Sequence, residues 1–503
     1  MPPRIIIRAN SLAGFLHHSG INSAREKPML NRGLSQIGLR ILDRATDAYP
    51  SVVPRLFERT LVGIFGSRPV ASYVLRKYRK QWDHIAADLE KPSKILLVVD
   101  VSIGDTVLAS ECLPAIQAAF PKAEVHFVCN RTGGELITGM PGIHVHNFVE
   151  GVHGFPTEED LTRLNELISK ESFTAILNLG PFLDARRLSE PERVMQLFVP
   201  FAAYILRAWK AKGRRHISYY ARAYVSDFLG RRGEIFERKE FSEPAIPLNT
   251  NTVYLSRESI EMASAFLASH GLHPGGGLVF LNPDATSQFG QIPFDVQTQL
   301  LRHLTEMEEV SAVLIGKTYS FKGTESRLMA ALSERLQKKV VIVPHVPIEV
   351  YTALIDASDM FISGDTGPLH VSACRKRVAD DAGPPDYPMR NQTVILAIYG
   401  ATDSRMYGYD SEQPHHVPAN QDAPSRSFSA PTNITGAAPC RNISCINKFG
   451  KSCGEVRCFK GLPIEEIQEY ITAYFKRISV RDETPVSSPP ITITLDPIRE
   501  YAF

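Results

Sequence analysis

Buried strands alternate with helices twice along this chain, and that alternation constrains the fold more than any other feature. Lys94-Ile-Leu-Leu-Val-Val-Asp-Val101 is a near-continuous apolar run, the pattern of a strand covered on both faces. A Gly104-Asp105 turn follows, then a helical pattern to Phe120 and a second strand, Glu124 to Cys129. Phe173 to Leu179 repeats the signature after a polar helical stretch, Thr157 to Lys170. Strands separated by helices build βαβ units, and these require a parallel sheet. The pattern lapses between residues 190 and 250 and resumes after Gly275-Gly276-Gly277, read as a hinge. Leu278 to Leu281, Ala312 to Ile315, Val340 to Val343, Met360 to Ser363 and Val394 to Tyr399 are the further expected strands. The expectation is an α/β chain with two Rossmann-like domains facing a cleft, over residues 94–270 and 271–480. A helical extension, residues 1–93, precedes them, and a tail, residues 481–503, follows.

Composition narrows the function classes. A length of 503 residues exceeds what a single core holds, and 44% hydrophobic with 22% charged residues excludes a disordered chain. Lys and Arg number 56 against 54 Asp and Glu, and the resulting charge of +2 argues against a globally basic nucleic-acid binder. The best apolar run, Leu197 to Leu206, contains Pro200 and falls short of the ~18–20 residues a membrane span needs. The first 25 residues hold Arg4, Arg8 and Arg25 with no acid before Glu26, a composition similar to an organellar presequence. They lack the long apolar core of a secretory signal, and the expected location is cytoplasmic.

Two strand-to-helix turns carry candidate chemistry. In Met360-Phe-Ile-Ser-Gly-Asp-Thr-Gly-Pro-Leu-His370 a strand ends at Ser363 and a helix opens at Asp365-Thr366-Gly367-Pro368. Amides at a helix start are unpaired and favour an anion, glycine admits a phosphate close to the backbone, and Thr366 adds a hydroxyl. Simple capping by Asp365 or Thr366 is the alternative, though it leaves His370, one turn later, unexplained. In Val101-Ser-Ile-Gly-Asp105 a carboxylate stands at the equivalent turn of the first sheet, suited to a general base. The alternative for Asp105 is a plain N-cap.

Two other segments stand out. Of seven cysteines, Cys112, Cys129 and Cys374 lie singly in apolar surroundings and read as core residues. Cys440, Cys445, Cys453 and Cys458 crowd together, and four thiolates can hold zinc or iron tetrahedrally as a structural metal; two disulfides or free thiols are the alternatives. Between Arg207 and Lys239, ten Lys and Arg face three acids, interleaved with Tyr219, Tyr220, Tyr224 and Phe228. That stretch is either a solvated surface or a patch for an anionic glycolipid, a membrane surface contacted peripherally or an acidic protein; nucleic acid is least favoured.

Taken together, these residues resemble the heptosyltransferase family of glycosyltransferases, glycosyltransferase family 9. The resemblance rests on Lys94 to Pro121, with Ser-Ile-Gly-Asp and Leu-Pro-Ala-Ile, and on Ser363-Gly-Asp-Thr-Gly-Pro-Leu-His370. Asn282-Pro-Asp-Ala-Thr286 and Tyr399-Gly-Ala-Thr402 follow in the family's order, and the similarity spans roughly residues 94–475. It implies the two-domain GT-B fold and inverting transfer of a heptose from ADP-heptose, or a related nucleotide-sugar, to a glycan, lipopolysaccharide-type or protein acceptor. It further implies that Asp105 is the base, that Asp365, Thr366, Gly367 and His370 hold the nucleotide diphosphate and sugar, that Thr286 meets the phosphates and that Glu325 binds the ribose. The four cysteines resemble the cluster of autotransporter heptosyltransferases, which bind iron through a finger-like loop, and a homo-oligomer is among the expected partners. No Asp-x-Asp motif lies near a strand end, in keeping with metal-independent chemistry.

One departure is evident. The family carries a lysine seven or eight residues after the Asn-Pro pair, whereas this chain reads Phe289-Gly290-Gln291-Ile292-Pro293. A lost charge-assisted contact costs ~1.5–3 kcal/mol, and Lys317 and Lys322 are candidates to replace it. The alternative function is a non-catalytic GT-B scaffold that binds nucleotide or partners. A dinucleotide oxidoreductase is disfavoured because neither first βα turn carries Gly-x-Gly-x-x-Gly.

Overall fold

The computed structural model describes residues 93–99, 102–149, 156–179, 183, 185–196, 251–285, 290–316, 323–379, 389–400, 404–410, 424–429, 459 and 461–479. The helical extension, the basic stretch 207–239, the four-cysteine segment 440–458, Thr286, Lys317, Lys322 and the tail lie outside the described residues.

The first lobe is a five-stranded sheet of β1 (Ser93–Val98), β2 (Ala123–Asn130), β3 (Ile143–Val149), β4 (Ala175–Asn178) and β5 (Val194–Gln196). All its pairings are parallel and the spatial order is β3-β2-β1-β4-β5. Helix α1 (Ile103–Ser110) leaves β1, α2 (Leu113–Ala119) leads to β2, α3 (Arg131–Glu135) leaves β2, and α4 (Glu158–Glu171) leads to β4. Thr157 and Asp160 form a reciprocal capping box at the start of α4. The inner face of that helix packs Leu161, Leu164 and Ile168 against Leu96, Val98, Val128 and Ile176.

The second lobe is built likewise. Strands β7 (Leu278–Asn282), β8 (Ala312–Ile315), β9 (Val340–Ile342), β10 (Met360–Ser363), β12 (Val394–Tyr399) and β13 (Arg426–Ser429) form a parallel sheet in the order β13-β12-β10-β7-β8-β9. Both sheets thus follow the doubly wound order, in which the strand sequence reverses beside the first strand and ligands collect at that crevice. One face of the six-stranded sheet is covered by α6 (Phe294–Glu306) and the C-terminal helix (Ile464–Ser479), whose Ile467, Ile471 and Phe475 are fully buried. Helices α7 (Thr324–Ala330) and α8 (Glu334–Gln337), between β8 and β9 in the chain, pack Leu328 and Leu336 into the cluster on that same face, and on the other face lie α5 (Arg257–Ser269) and α9 (Ile348–Ala357). Helix α10 (Gly367–Ser372) leaves β10, α11 (Ser404–Tyr407) leaves β12, and the C-terminal helix is α12.

Two features differ from the sequence reading. A small parallel sheet joins β6 (Thr252–Leu255) to β11 (Arg375–Val378), so the segment entering α5 pairs with the second lobe. Gly275-Gly276-Gly277 is a fixed lead-in to β7 rather than a hinge: buried Asp359 accepts the amides of Gly277 and Leu278 at 2.9 and 2.8 Å. Gly277 has φ +80°, and a Cβ there would lie 2.1 Å from the Glu309 carbonyl oxygen, so only glycine fits. Cys112, Cys129 and Cys374 are buried and form no disulfide, as expected of core residues. No helix among the described residues is long and apolar enough to cross a membrane.

Three histidines stack on the α4 face of the first sheet. His126 on β2 lies 4.7 Å, ring centre to centre, from His144 and 5.2 Å from His146, both on β3. Burial pushes the His146 imidazole down to about 4, with the neighbouring His126, His144 and Lys170 adding to the shift and Glu171 opposing it. Burial also lowers His126, against the opposing pull of Glu124 and Glu171. A base whose folded pKa is lowered binds fewer protons than it does unfolded, so stability rises with pH across that window. The fold is expected to lose stability as pH falls from about 6.5 toward 4, a trend the chain His146→Asn should show less steeply. Urea midpoints measured across that range check it.

Candidate functional site

The site grows from the ends of β1, β7 and β10, at the reversal points of the two sheets. At the first, Ser102 is the N-cap of α1 and Asp105 is the third helical residue; the exposed Asp105 carboxylate accepts the Ser102 hydroxyl at 2.9 Å. Asp105 is therefore not the N-cap itself. At the second, Thr366 caps α10: its Oγ1 accepts the Leu369 amide and also hydrogen-bonds Ser363 Oγ at 2.9 Å and Asn282 Nδ2 at 3.3 Å. Because Pro368 has no N–H and Leu369 is capped, the Gly367 amide is the first-turn donor with no acceptor among the described residues.

The two turns meet. A Cβ built on Gly104 would sit 2.7 Å from His370 Cδ2 and 3.1 Å from Gly367 Cα; one on Gly367 would sit 3.1 Å from Ile103 Cβ. Glycine loses more conformational freedom in a helix than alanine does, and this close approach is what requires it at 104. Behind the contact, Val107 and Leu136 of the first lobe share an apolar cluster with Leu369, Val371 and Tyr399 of the second. Asp105 and the Asp365–His370 segment, distant in sequence, are thus brought to one place.

His370 is buried and held at both ring nitrogens. Its Nδ1 hydrogen-bonds the Tyr409 hydroxyl at 2.9 Å, and its Nε2 faces Asp365 Oδ1 at 3.7 Å. The Tyr409 hydroxyl thus fixes the ring so that its Nε2 edge is turned toward Asp365. Burial holds the Tyr409 phenol well above its usual range, so it stays neutral. Sequence reasoning passed over Tyr409, because no local pattern marks its pairing with His370. Tyr409→Phe should lower stability by ~0.5–1.5 kcal/mol, the worth of one internal hydrogen bond, measurable as a shift in the denaturation midpoint.

After β7 lies a second group, in which sequence reasoning gave Glu325 a role and Asp284 none. Buried Asp284 accepts Gln291 Nε2 at 2.8 Å and Thr324 Oγ1 at 3.2 Å through Oδ1, while its buried Oδ2 meets no donor among the described residues. Burial raises its carboxyl pKa, and the nearby Glu325 adds to the rise. Glu325 itself is buried at the start of α7, close enough to Asp284 to raise its pKa. Tyr351 anchors the same turn by donating to Asn282 Oδ1 at 2.8 Å.

Gly290 packs backbone to backbone against this centre. A Cβ at 290 would lie 2.3 Å from the Asp365 carbonyl oxygen, and one at Gly364 would lie 1.9 Å from the Gly290 carbonyl oxygen. The absent lysine therefore reflects a position with no room for a side chain.

Two parallel sheets whose site turns abut define the GT-B architecture. Among solved structures, the fold is similar to that of a glycosyl transferase family 9 protein from Veillonella parvula, with a TM-score of 0.51 at 15% identity, over 78% of this chain and 98% of that one. The E. coli ADP-heptose lps heptosyltransferase II matches with a TM-score of 0.45 at 12% identity, over 78% and 100% of the two chains. The E. coli heptosyltransferase WaaC with ADP matches at 0.44 and 14%, over 76% and 99%. No protein-family model and no curated protein sequence matches this chain.

Proposed function

We propose that the chain is an inverting glycosyltransferase that moves a heptose or similar sugar from a nucleoside-diphosphate sugar, of which ADP-heptose is the leading candidate, to a glycan, glycolipid or protein acceptor. The observation that carries this reading is the direct contact between the turn holding Asp105 and the turn holding Asp365 to His370. Inversion needs one base on the acceptor side and a stabilised leaving group on the donor side. The acceptor oxygen bonds to the anomeric carbon as the bond from that carbon to the diphosphate breaks. The acceptor proton passes to Asp105, and the nucleoside diphosphate departs with the electron pair. Asp105 is suited to the role because it is exposed and held by Ser102. The Gly367 amide is suited to a diphosphate oxygen, and the Tyr409–His370–Asp365 chain to orienting the sugar.

This assignment requires no metal ion for the chemistry itself, since main-chain donors can stabilise the leaving group. We propose separately that the four cysteines at 440, 445, 453 and 458 hold a structural zinc or iron. Asp105→Asn is expected to lower turnover by ~10²–10⁴-fold while leaving nucleoside-diphosphate affinity within about twofold. Calorimetry with ADP and mass spectrometry of the acceptor after incubation with ADP-heptose measure the two. Nucleotide binding without turnover in the native chain would select the scaffold reading instead; no nucleotide binding would overturn both.

A further inference from the structure

We propose that Glu124, His126 and His144 form a binding site for a divalent metal of the zinc class, separate from the sugar-transfer site and from the four cysteines. Glu124 and His126 are two residues apart on β2, so both side chains leave the same face of the sheet. The parallel register sets His144 of β3 directly opposite His126. Both imidazole Nε2 atoms converge on one carboxylate oxygen, Glu124 Oε1, at 2.9 Å from His126 and 3.4 Å from His144. One ligand atom from each of the three lies within 4.8 Å of the others, a span that a single ion can bridge. Two imidazole nitrogens and one carboxylate oxygen suit zinc, nickel or copper(II) better than calcium or magnesium, which take oxygen alone.

The surroundings fit such an occupant. His146 Nε2 stands 2.9 Å from His126 Nδ1, so when His126 Nε2 binds an ion the Nδ1–H has an acceptor waiting, the outer-shell arrangement typical of ligating histidines. Phe173 packs edge-on against the His126 ring and fixes its plane. Access is open, because the side chains of His144 and Glu124 are 57% and 41% exposed, which leaves a coordination position for water. Lys94 lies 3.8 Å from Glu124 Oε2, but its ammonium is drawn to Glu171 at 2.6 Å. The three ligands sit toward the starts of their strands, whereas the transfer site lies past the strand ends. An ion here would tie the edge strand β3 to β2 and act on stability, not on chemistry.

The test uses the full chain, stripped with a chelator and titrated with zinc alone. In a background with all four cysteines at 440, 445, 453 and 458 replaced by serine, about one zinc per chain should remain bound and raise the melting midpoint. Adding His144→Ala, an exposed position whose loss leaves the core intact, should weaken that binding at least about tenfold and abolish the thermal shift. If the cysteine-free chain does not fold, the comparison is made in the native sequence, where His144→Ala should lower the zinc stoichiometry by about one. Equal zinc content and equal thermal shift with and without His144 would overturn the proposal, as would a cysteine-free folded chain that takes up no zinc.

Discussion

Replacing Gly290 with lysine is expected to destabilise the second lobe by roughly 2–3 kcal/mol, and not to improve nucleotide binding. The substitution places a cation where the resemblance to heptosyltransferases expects one, so a reading from sequence alone favours a gain in affinity. The geometry reverses the sign. The first carbon of any side chain at 290 meets the Asp365 carbonyl at 2.3 Å, and neither partner is the free end of a flexible side chain. Relief requires moving the Gly364-Asp365 turn, whose next residue, Thr366, is tied to Ser363 and Asn282. Those bonds set the Gly367 amide and the Asp365 carboxylate, so strain at 290 propagates into the site. Gly290→Ala should show most of the same loss, because the collision begins at Cβ. Urea denaturation of both chains, with calorimetry against ADP, checks the pair. A lysine chain as stable as the native one and binding ADP more tightly would show that the loop yields.

The sequence made the interior strands legible because both of their faces are covered. Met360–Ser363, Ala312–Ile315 and Val394–Tyr399 read as unbroken apolar runs, and the structure gives them those bounds. Strands with mixed faces did not stand out. β3 reads Ile-His-Val-His-Asn-Phe-Val because it is an edge strand whose polar side chains meet one another and solvent. β11 reads Arg-Lys-Arg-Val, and its Lys376 is nonetheless fully buried; burial lowers the pKa of its ammonium, which donates to the Ser372 carbonyl. No local pattern announces a lysine that folds inward to cap a helix end. The same limit governs the site. Asp105, Asp365 and His370 lie in short motifs with glycine and were visible. Tyr409 and Asp284 act through tertiary partners, His370 and Thr324, and spacing along the chain carries no trace of either pairing. Gly290 was visible as a departure from a family pattern, but its cause, a carbonyl 75 residues away in sequence, was not.

Gly104→Val should reduce sugar transfer by about 100-fold or more while leaving the chain folded, the effect expected when reacting groups shift by roughly 1 Å. The valine Cβ would lie 2.7 Å from His370 Cδ2 and 3.1 Å from Gly367 Cα, so either the imidazole swings or the two turns part. Swinging the imidazole breaks its bond to Tyr409 and turns Nε2 away from Asp365. Parting the turns pulls Val107 out of the apolar cluster it shares with the second lobe, at about 1.5–3 kcal/mol for a fully exposed side chain. The imidazole movement costs less, so the native fold should persist with the donor side displaced. Gly104→Ala should give a smaller loss, since a single methyl group leaves the ring room to shift by a few tenths of an ångström. The pair separates two accounts of the interlobe contact. If it merely joins the lobes, valine lowers the melting midpoint and spares turnover per folded molecule. If it aligns the Asp105 turn with the His370 turn, turnover falls far more than stability, and native turnover in a folded Gly104→Val chain would dissolve the shared site.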